Sequence, residues 1–283
     1  MRWQNKIGFM QGRLSPKVDG KIQAFPWDAW RSEFPAAQAL GIPLMEWTLD
    51  QDRLYENPLM TADGQDEIRA LCARYGLRVG SLTGDCFMQA PFWKESGTSR
   101  KALQEDFLAI ARACSGIGIV HIVVPLVDNG SLQDSTQEDD VVGFLIAQIP
   151  LFRQLGVKVV FECDYPPAEL ARFIGRLEPG LFGINYDIGN SASLGFDPVK
   201  EFAAYGPRIL NVHVKDRVLG GTTMPLGTGS AQFATVFTEL ARLDYHGDFI
   251  LQTARANDDD HAEVLAKYRD MVVFWLETSR MVA

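Results

Sequence analysis

The chain has 283 residues, 47% hydrophobic and 22% charged, a globular balance that excludes a disordered, collagen-like or coiled-coil chain. Lys plus Arg number 27 against 36 Asp plus Glu, and the resulting formal charge of −9 argues against a nucleic-acid partner, because an acidic chain repels phosphate backbones. Four His and four Cys leave any metal to be held mostly by carboxylates. Cys72, Cys86, Cys114 and Cys163 are widely spaced with no C-x-x-C pair, so they are expected to be reduced residues of a cytoplasmic protein. Met1–Met10 lacks an apolar h-region, and no run of about 18 apolar residues occurs, so neither an export signal nor a membrane span is expected.

In chain order, one unit repeats: an amphipathic stretch, a glycine, and a short apolar run. Ile7 to Met10 is the first such run, and Pro35 is expected to kink or split the first helix. Gly41 then precedes Ile42 to Glu46, Gly76 precedes Leu77 to Ser81, and Gly118 precedes Ile119 to Val124. Gly156 precedes Val157 to Phe161, Gly180 precedes Leu181 to Asn185, Gly206 precedes Ile209 to Val212, and Gly247 precedes Phe249 to Leu251. Glycine is favoured just past a helix end because it accepts positive φ without a Cβ clash. Between the runs, Leu103, Phe107, Ile110 and Cys114 recur at helical spacing, as do Val142, Leu145, Ile149 and Phe152. Phe233, Phe237 and Leu240 follow suit, and so do Val264, Tyr268, Met271 and Trp275. The polar stretch Asp128 to Asp140 is expected to be a surface loop entering a helix. Eight apolar strands alternating with helices require parallel pairing and right-handed crossovers. They predict an α/β fold, a (β/α)8 TIM barrel forming a single domain over residues 1–283. An open doubly wound sheet is disfavoured, since Gly8-Phe-Met-Gln-Gly12 does not form G-x-G-x-x-G after the first strand.

In such a barrel the chemistry lies at the C-terminal ends of the strands. In strand order those ends read Gln11-Gly-Arg13, Glu46, Thr83-Gly-Asp85-Cys86, Pro125, Glu162, Asp187, His213 and Gln252. The last four would converge from successive strands. Two carboxylates, an imidazole and an amide oxygen make a hard donor set that suits Mn2+, Mg2+ or Co2+ better than a thiolate zinc site. One strand-end carboxylate alone serves equally to cap a helix or pair with an arginine. Three ionisable ligand types on consecutive strand ends favour a metal.

Other residues carry weaker signals. The loop from Gly220 to Ser230 reads either as a turn, with Ser230 as the N-cap of the next helix, or as a phosphate cradle with Lys215, Arg217 and Arg255 beside it. Arg13 offers another anion contact at strand one. His121 is expected to be packed in mid-strand, His246 to sit in a turn away from the site, and His261 to open an exposed helix. Trp47, Phe87, Phe92 and Trp93 follow strands two and three, where sugar stacking, interior packing and a dimer contact are all open. Cys163 should point away from Glu162 along the strand.

The stretches IGFMQGRL (Ile7 to Leu14), FECD (Phe161 to Asp164), NYDIGN (Asn185 to Asn190), VHVKD (Val212 to Asp216), LGTG (Leu226 to Gly229) and YHGDFIL (Tyr245 to Leu251) resemble the xylose isomerase-like TIM-barrel superfamily. Within it they are most similar to the sugar phosphate isomerases and epimerases. The likeness covers nearly the whole chain and is most specific from Gly156 to Arg255. The resemblance implies one divalent metal, Mn2+, Mg2+, Co2+ or Zn2+, held by Glu, Asp, His and Glu at the ends of strands five to eight. It also implies isomerisation or epimerisation of a keto sugar, often phosphorylated. Matched motif by motif, the ligands are Glu162, Asp187, His213 and, in place of the second glutamate, Gln252. Asn190 stands where many members carry a second histidine.

Glu162 is then the expected acid/base. Gln252 does not titrate near neutral pH, so the second proton carrier would be Lys215, Asp216 or Glu46, or the reaction would use one face only. Arg13, Glu46, Asn190, Arg217 and Arg255 are the expected substrate contacts. The alternatives are keto-polyol dehydration and a sugar-binding barrel with altered chemistry. An apurinic endonuclease is disfavoured by the few histidines and the acidic charge. The expected partner is a small carbohydrate, with no nucleic acid and no membrane, and a homodimer is open.

Overall fold

Eight parallel strands close on themselves in a computed structural model that describes residues 3–256 and 260–281. The barrel strands are β1 (Ile7–Met10), β2 (Leu44–Thr48), β3 (Arg78–Thr83), β4 (His121–Leu126), β5 (Lys158–Cys163), β6 (Phe182–Asp187) and β7 (Ile209–Val214). A small antiparallel hairpin follows, β8 (Asp216–Arg217) with β9 (Thr223–Met224), and β10 (Asp248–Leu251) completes the ring against β7 and β1. The helices are α1 (Glu33–Leu40), α2 (Ala62–Tyr75), α3 (Asp85–Gln89), α4 (Gly97–Ile117), α5 (Ser135–Ala147) and α6 (Ile149–Leu155). After them come α7 (Pro167–Gly175), α8 (Ile188–Leu194), α9 (Pro198–Tyr205), α10 (Phe233–Arg242) and α11 (His261–Ser279). The predicted single-domain barrel is the observed fold. Among the described residues no helix is long and apolar enough to cross a membrane.

Strand side chains alternate between two environments, as the period of two demands. Ile7, Phe9, Met45, Trp47, Phe161, Val212 and Phe249 face the helices in the main core. Met10, Leu44 and Ile250 form a separate plug inside the barrel. The interior also buries polar groups, among them Glu46, Ser81, Asn185, Asn211 and His213.

Some local expectations change. Pro35 neither kinks nor splits a helix. It lies in the first turn of α1, behind a 3-10 turn at Trp30–Ser32, where its missing N–H has no intrahelical partner to lose. The run through Val142, Leu145, Ile149 and Phe152 is two helices, because Pro150 cannot continue α5 and instead opens α6. The acidic loop ends early: Asp134 caps α5 by accepting from Gln137 N, so Ser135 onward is helix. His261 does start α11, but it is buried rather than exposed. Gly41, Gly76, Gly118 and Gly156 end their helices in the left-handed conformation, whereas Gly180, Gly206 and Gly247 do not.

Candidate metal and sugar site

Inward alternation carries Glu162, Asp187 and His213 from β5, β6 and β7 to one place. Their donor atoms lie within 4.8 Å of one another, and all three residues are buried. Asp187 pairs in register with His213. Gln252 extends the ladder beyond β10 through its N–H to Val214 O at 3.1 Å. Asp187 Oδ1 caps α8 by accepting from Asn190 N at 2.8 Å, which leaves Oδ2 toward the site. Glu162 accepts from Asn185 Nδ2 at 3.0 Å and from Asn190 Nδ2 at 2.5 Å.

The fully buried His213 ring lies between two acids. Its Nδ1 is 3.1 Å from Glu162 Oε2 and its Nε2 is 2.7 Å from Glu46 Oε1. The N–H directions miss both oxygens, so neither nitrogen completes a well-formed hydrogen bond. Lys215 Nζ stands 3.3 Å from Asp187 Oδ2 and 3.4 Å from Gln252 Oε1, a positive charge among the same oxygens. An imidazole nitrogen without a satisfied partner, two carboxylates, and an amide oxygen already facing a cation fit a divalent ion.

Charge in the group is mutually sustained. Burial works against ionising His213, but Glu46 and Glu162 outweigh it and lift the imidazole to about 10. Burial likewise opposes ionised Glu162 and Glu46. The charge of His213 nevertheless holds both below the ordinary carboxylate range, with help from Ser81 and Thr83 at Glu46 and from Lys215 at Glu162. Asp187 is raised by burial, with Lys215 opposing.

Glu46 does not face the mouth. It is fully buried behind His213 and accepts from Ser81 Oγ at 2.6 Å, from Thr83 Oγ1, and from Asn211 Nδ2 at 3.1 Å. It is therefore placed to orient the histidine rather than to meet a substrate, the arrangement in which a carboxylate fixes a metal-binding imidazole. Asn190 lies at the site and links Glu162 to Arg217, whose Nη1 donates to Asn190 Oδ1 at 2.8 Å.

The arginines serve the loops. Arg13 is buried and donates to Thr253 O at 3.0 Å and Ile22 O at 2.9 Å, and burial together with Arg255 pushes it down to about 9. Arg217 also donates to Gly221 O, and Arg255 to Ser15 O at 2.5 Å and Ile22 O at 3.4 Å. The loop amides are engaged too. Asp216 accepts from Gly227, Gly229 and Ala231 N–H groups at 2.8–3.1 Å, which explains why VHVKD and LGTG occur together. A Cβ on Gly229 would collide with that carboxylate. Ser230 does not cap α10, whose N-cap is Gln232. Its Oγ instead accepts from Leu219 N at 3.0 Å.

The remaining histidines and aromatics fall outside the site. His121 begins β4 at the far end of the barrel, where burial and Lys158 push it down to about 4. His246 is exposed beside Asp244. Trp47, Phe87, Phe92 and Trp93 are buried in ring-to-ring packing, with Phe87 and Phe107 centroids 4.5 Å apart. Cys163 packs outward against the core.

Two mouth residues escaped the sequence reading. Gln23, in the β1–α1 loop, donates to Asp85 Oδ2 at 2.6 Å and accepts from Gln252 Nε2 at 3.0 Å. Asp85 is buried at the end of β3, and burial, with Asp50 and Glu162, raises it to about 7. Its place among the strand ends was the available signal. Nothing in the spacing announces Gln23.

The family model described as xylose isomerase-like TIM barrel matches residues 34–271. An inosose dehydratase of Geobacillus kaustophilus (strain HTA426) is 30% identical over 172 residues, a span covering 51% of this chain and 56% of that protein. The L-ribulose-5-phosphate 3-epimerase UlaE of Escherichia coli (strain K12) is 24% identical over 266 residues, covering 90% of this chain and 93% of the epimerase. The crystal structure of the IolI protein with a bound zinc atom shares the fold, with a TM-score of 0.75, 13% identity, and coverage of 97% of this chain and 99% of that one.

Proposed function

Because the chain belongs to the xylose isomerase-like TIM-barrel family, we propose that it is a divalent-metal-dependent isomerase or epimerase of a keto sugar. The observation that carries this reading is the buried Glu162, Asp187 and His213 group, with Gln252 Oε1 turned toward it. Glu162, Asp187, His213 and Gln252 would hold the ion, which when bound supplies charge stabilisation at the substrate oxygens. Glu162, held ionised, takes the proton from the carbon beside the carbonyl. Asn185 and Asn190 fix its two oxygens in place. Lys215 contributes positive charge near the developing enediolate.

The substrate is proposed to be unphosphorylated. The guanidinium groups of Arg13, Arg217 and Arg255 donate to protein oxygens, and the loop amides that would cradle a phosphate bind Asp216. Gln252 supports a second reading, keto-polyol dehydration, which requires only one carbon base. The inosose dehydratase relative points the same way.

The test is reconstitution with Mn2+, elemental analysis, and a panel of keto sugars, their phosphates and an inosose. One bound ion per chain and turnover of unphosphorylated ketoses are expected. Absence of bound ion would remove the reading, and product from the inosose alone would select the dehydratase.

A further inference from the structure

With an amide at position 252, Glu162 remains as a carbon base, and the hydroxyl protons of the substrate need a carrier of their own. Asp85 differs from the other buried carboxylates among the described residues. Each of the others meets two or more donors or cations. Asp85 accepts a single hydrogen bond, and it comes from the neutral carboxamide of Gln23 at 2.6 Å.

That carboxamide has a telling set of partners. Gln23 Oε1 accepts from Arg13 Nη2 at 3.3 Å and from Gln252 Nε2 at 3.0 Å, while Gln23 Nε2 donates to Asp85. Two acceptances and one donation from one small group is the bonding pattern of a hydroxyl. Gln252 joins this place to the ion site, because its Oε1 faces Lys215 while its Nε2 holds Gln23. The amide belongs to the loop between β1 and α1, so movement of that loop would vacate the position.

We propose that Asp85 is the second proton carrier of this site, exchanging a proton with a substrate hydroxyl that takes the place of the Gln23 carboxamide. The proposal rests on the keto-sugar reading above. The exchange serves an aldose–ketose interconversion. Glu162 removes the proton from the carbon beside the carbonyl, and protonated Asp85 gives its proton to the carbonyl oxygen as the enediol forms. Glu162 then returns its proton to the neighbouring carbon. Asp85 takes the proton from the neighbouring hydroxyl as that oxygen becomes the new carbonyl. Both acids end as they began. In the ion-free chain burial raises Asp85 to about 7, with Asp50, Glu162 and Arg13 as the charges facing it.

The experiment uses the Mn2+-loaded full chain and the keto sugar of the panel that the wild type converts. D85N keeps the size of the side chain and an acceptor for Gln23. It is expected to lower kcat about 100-fold with KM within about threefold. It should also lose the fall in kcat/KM that the wild type shows with rising pH as Asp85 gives up its proton. D85E should recover part of kcat and restore that limb. Unchanged kcat in D85N overturns the proposal. So does a slow D85N that keeps the wild-type pH limb, or one whose Mn2+ content falls with its rate. Full activity in E162Q overturns the functional reading instead. A wild type that converts no member of the panel overturns both.

Discussion

In the proposed ion site, Gln252 would set how strongly the ion is held. A carboxylate there would add a full negative charge to the donor set, whereas the amide offers a dipole and an oxygen 3.4 Å from Lys215 Nζ. Q252E is therefore expected to tighten Mn2+ binding by about tenfold, roughly 1.4 kcal/mol. Calorimetric titration checks this, and unchanged affinity would remove Gln252 from the ligands. His213 gives a second test. Its imidazole is protonated below about 10 in the ion-free chain, and a ligating nitrogen must be free of its proton. Mn2+ binding at neutral pH should release about one proton, with affinity rising as pH climbs toward 10. Titration in two buffers of different ionisation enthalpy measures that number, and no proton release would contradict the assignment.

At the scale of elements, Asp216 holds the loop after β7. Its carboxylate gathers three backbone N–H groups that would otherwise be left without partners in a half-buried loop. D216A is expected to cost about 2 kcal/mol and lower Tm by about 5 °C, read by calorimetry, while D216N should lose less. A change under 1 °C in D216A would show that the loop holds itself. These elements were legible to different degrees. The barrel strands stood out because apolar runs were punctuated by glycine and ended in polar residues, so Glu162, Asp187 and His213 could be located as strand ends. The break before α6 was hidden because Ile149 and Phe152 keep the helical spacing of α5 across Pro150. The role of Glu46 was hidden too. A strand-end acid looks the same in sequence whether it faces a cavity or, as here, backs a histidine from inside the barrel.

For the whole molecule, the barrel brings strand ends far apart in sequence to one mouth, and the β1–α1 loop lies across it through Arg13 and Gln23. Closure of eight strands was predictable from the repeating unit, but the loop's path was not, since it depends on carbonyls such as Ile22 O that have no signature. The −9 charge said little about the mouth, where each arginine turns to protein oxygens. On the reading proposed above, an ion held by Glu162, Asp187, His213 and Gln252 would let Glu162 remove a carbon-bound proton from a keto sugar. Mass spectrometry of the unphosphorylated keto sugar after incubation in D2O tests it most directly. The Mn2+-loaded chain should place deuterium on the carbon beside the carbonyl, with none placed after chelation or by E162Q. Equal deuterium incorporation by the chelated protein or by E162Q would contradict the claim.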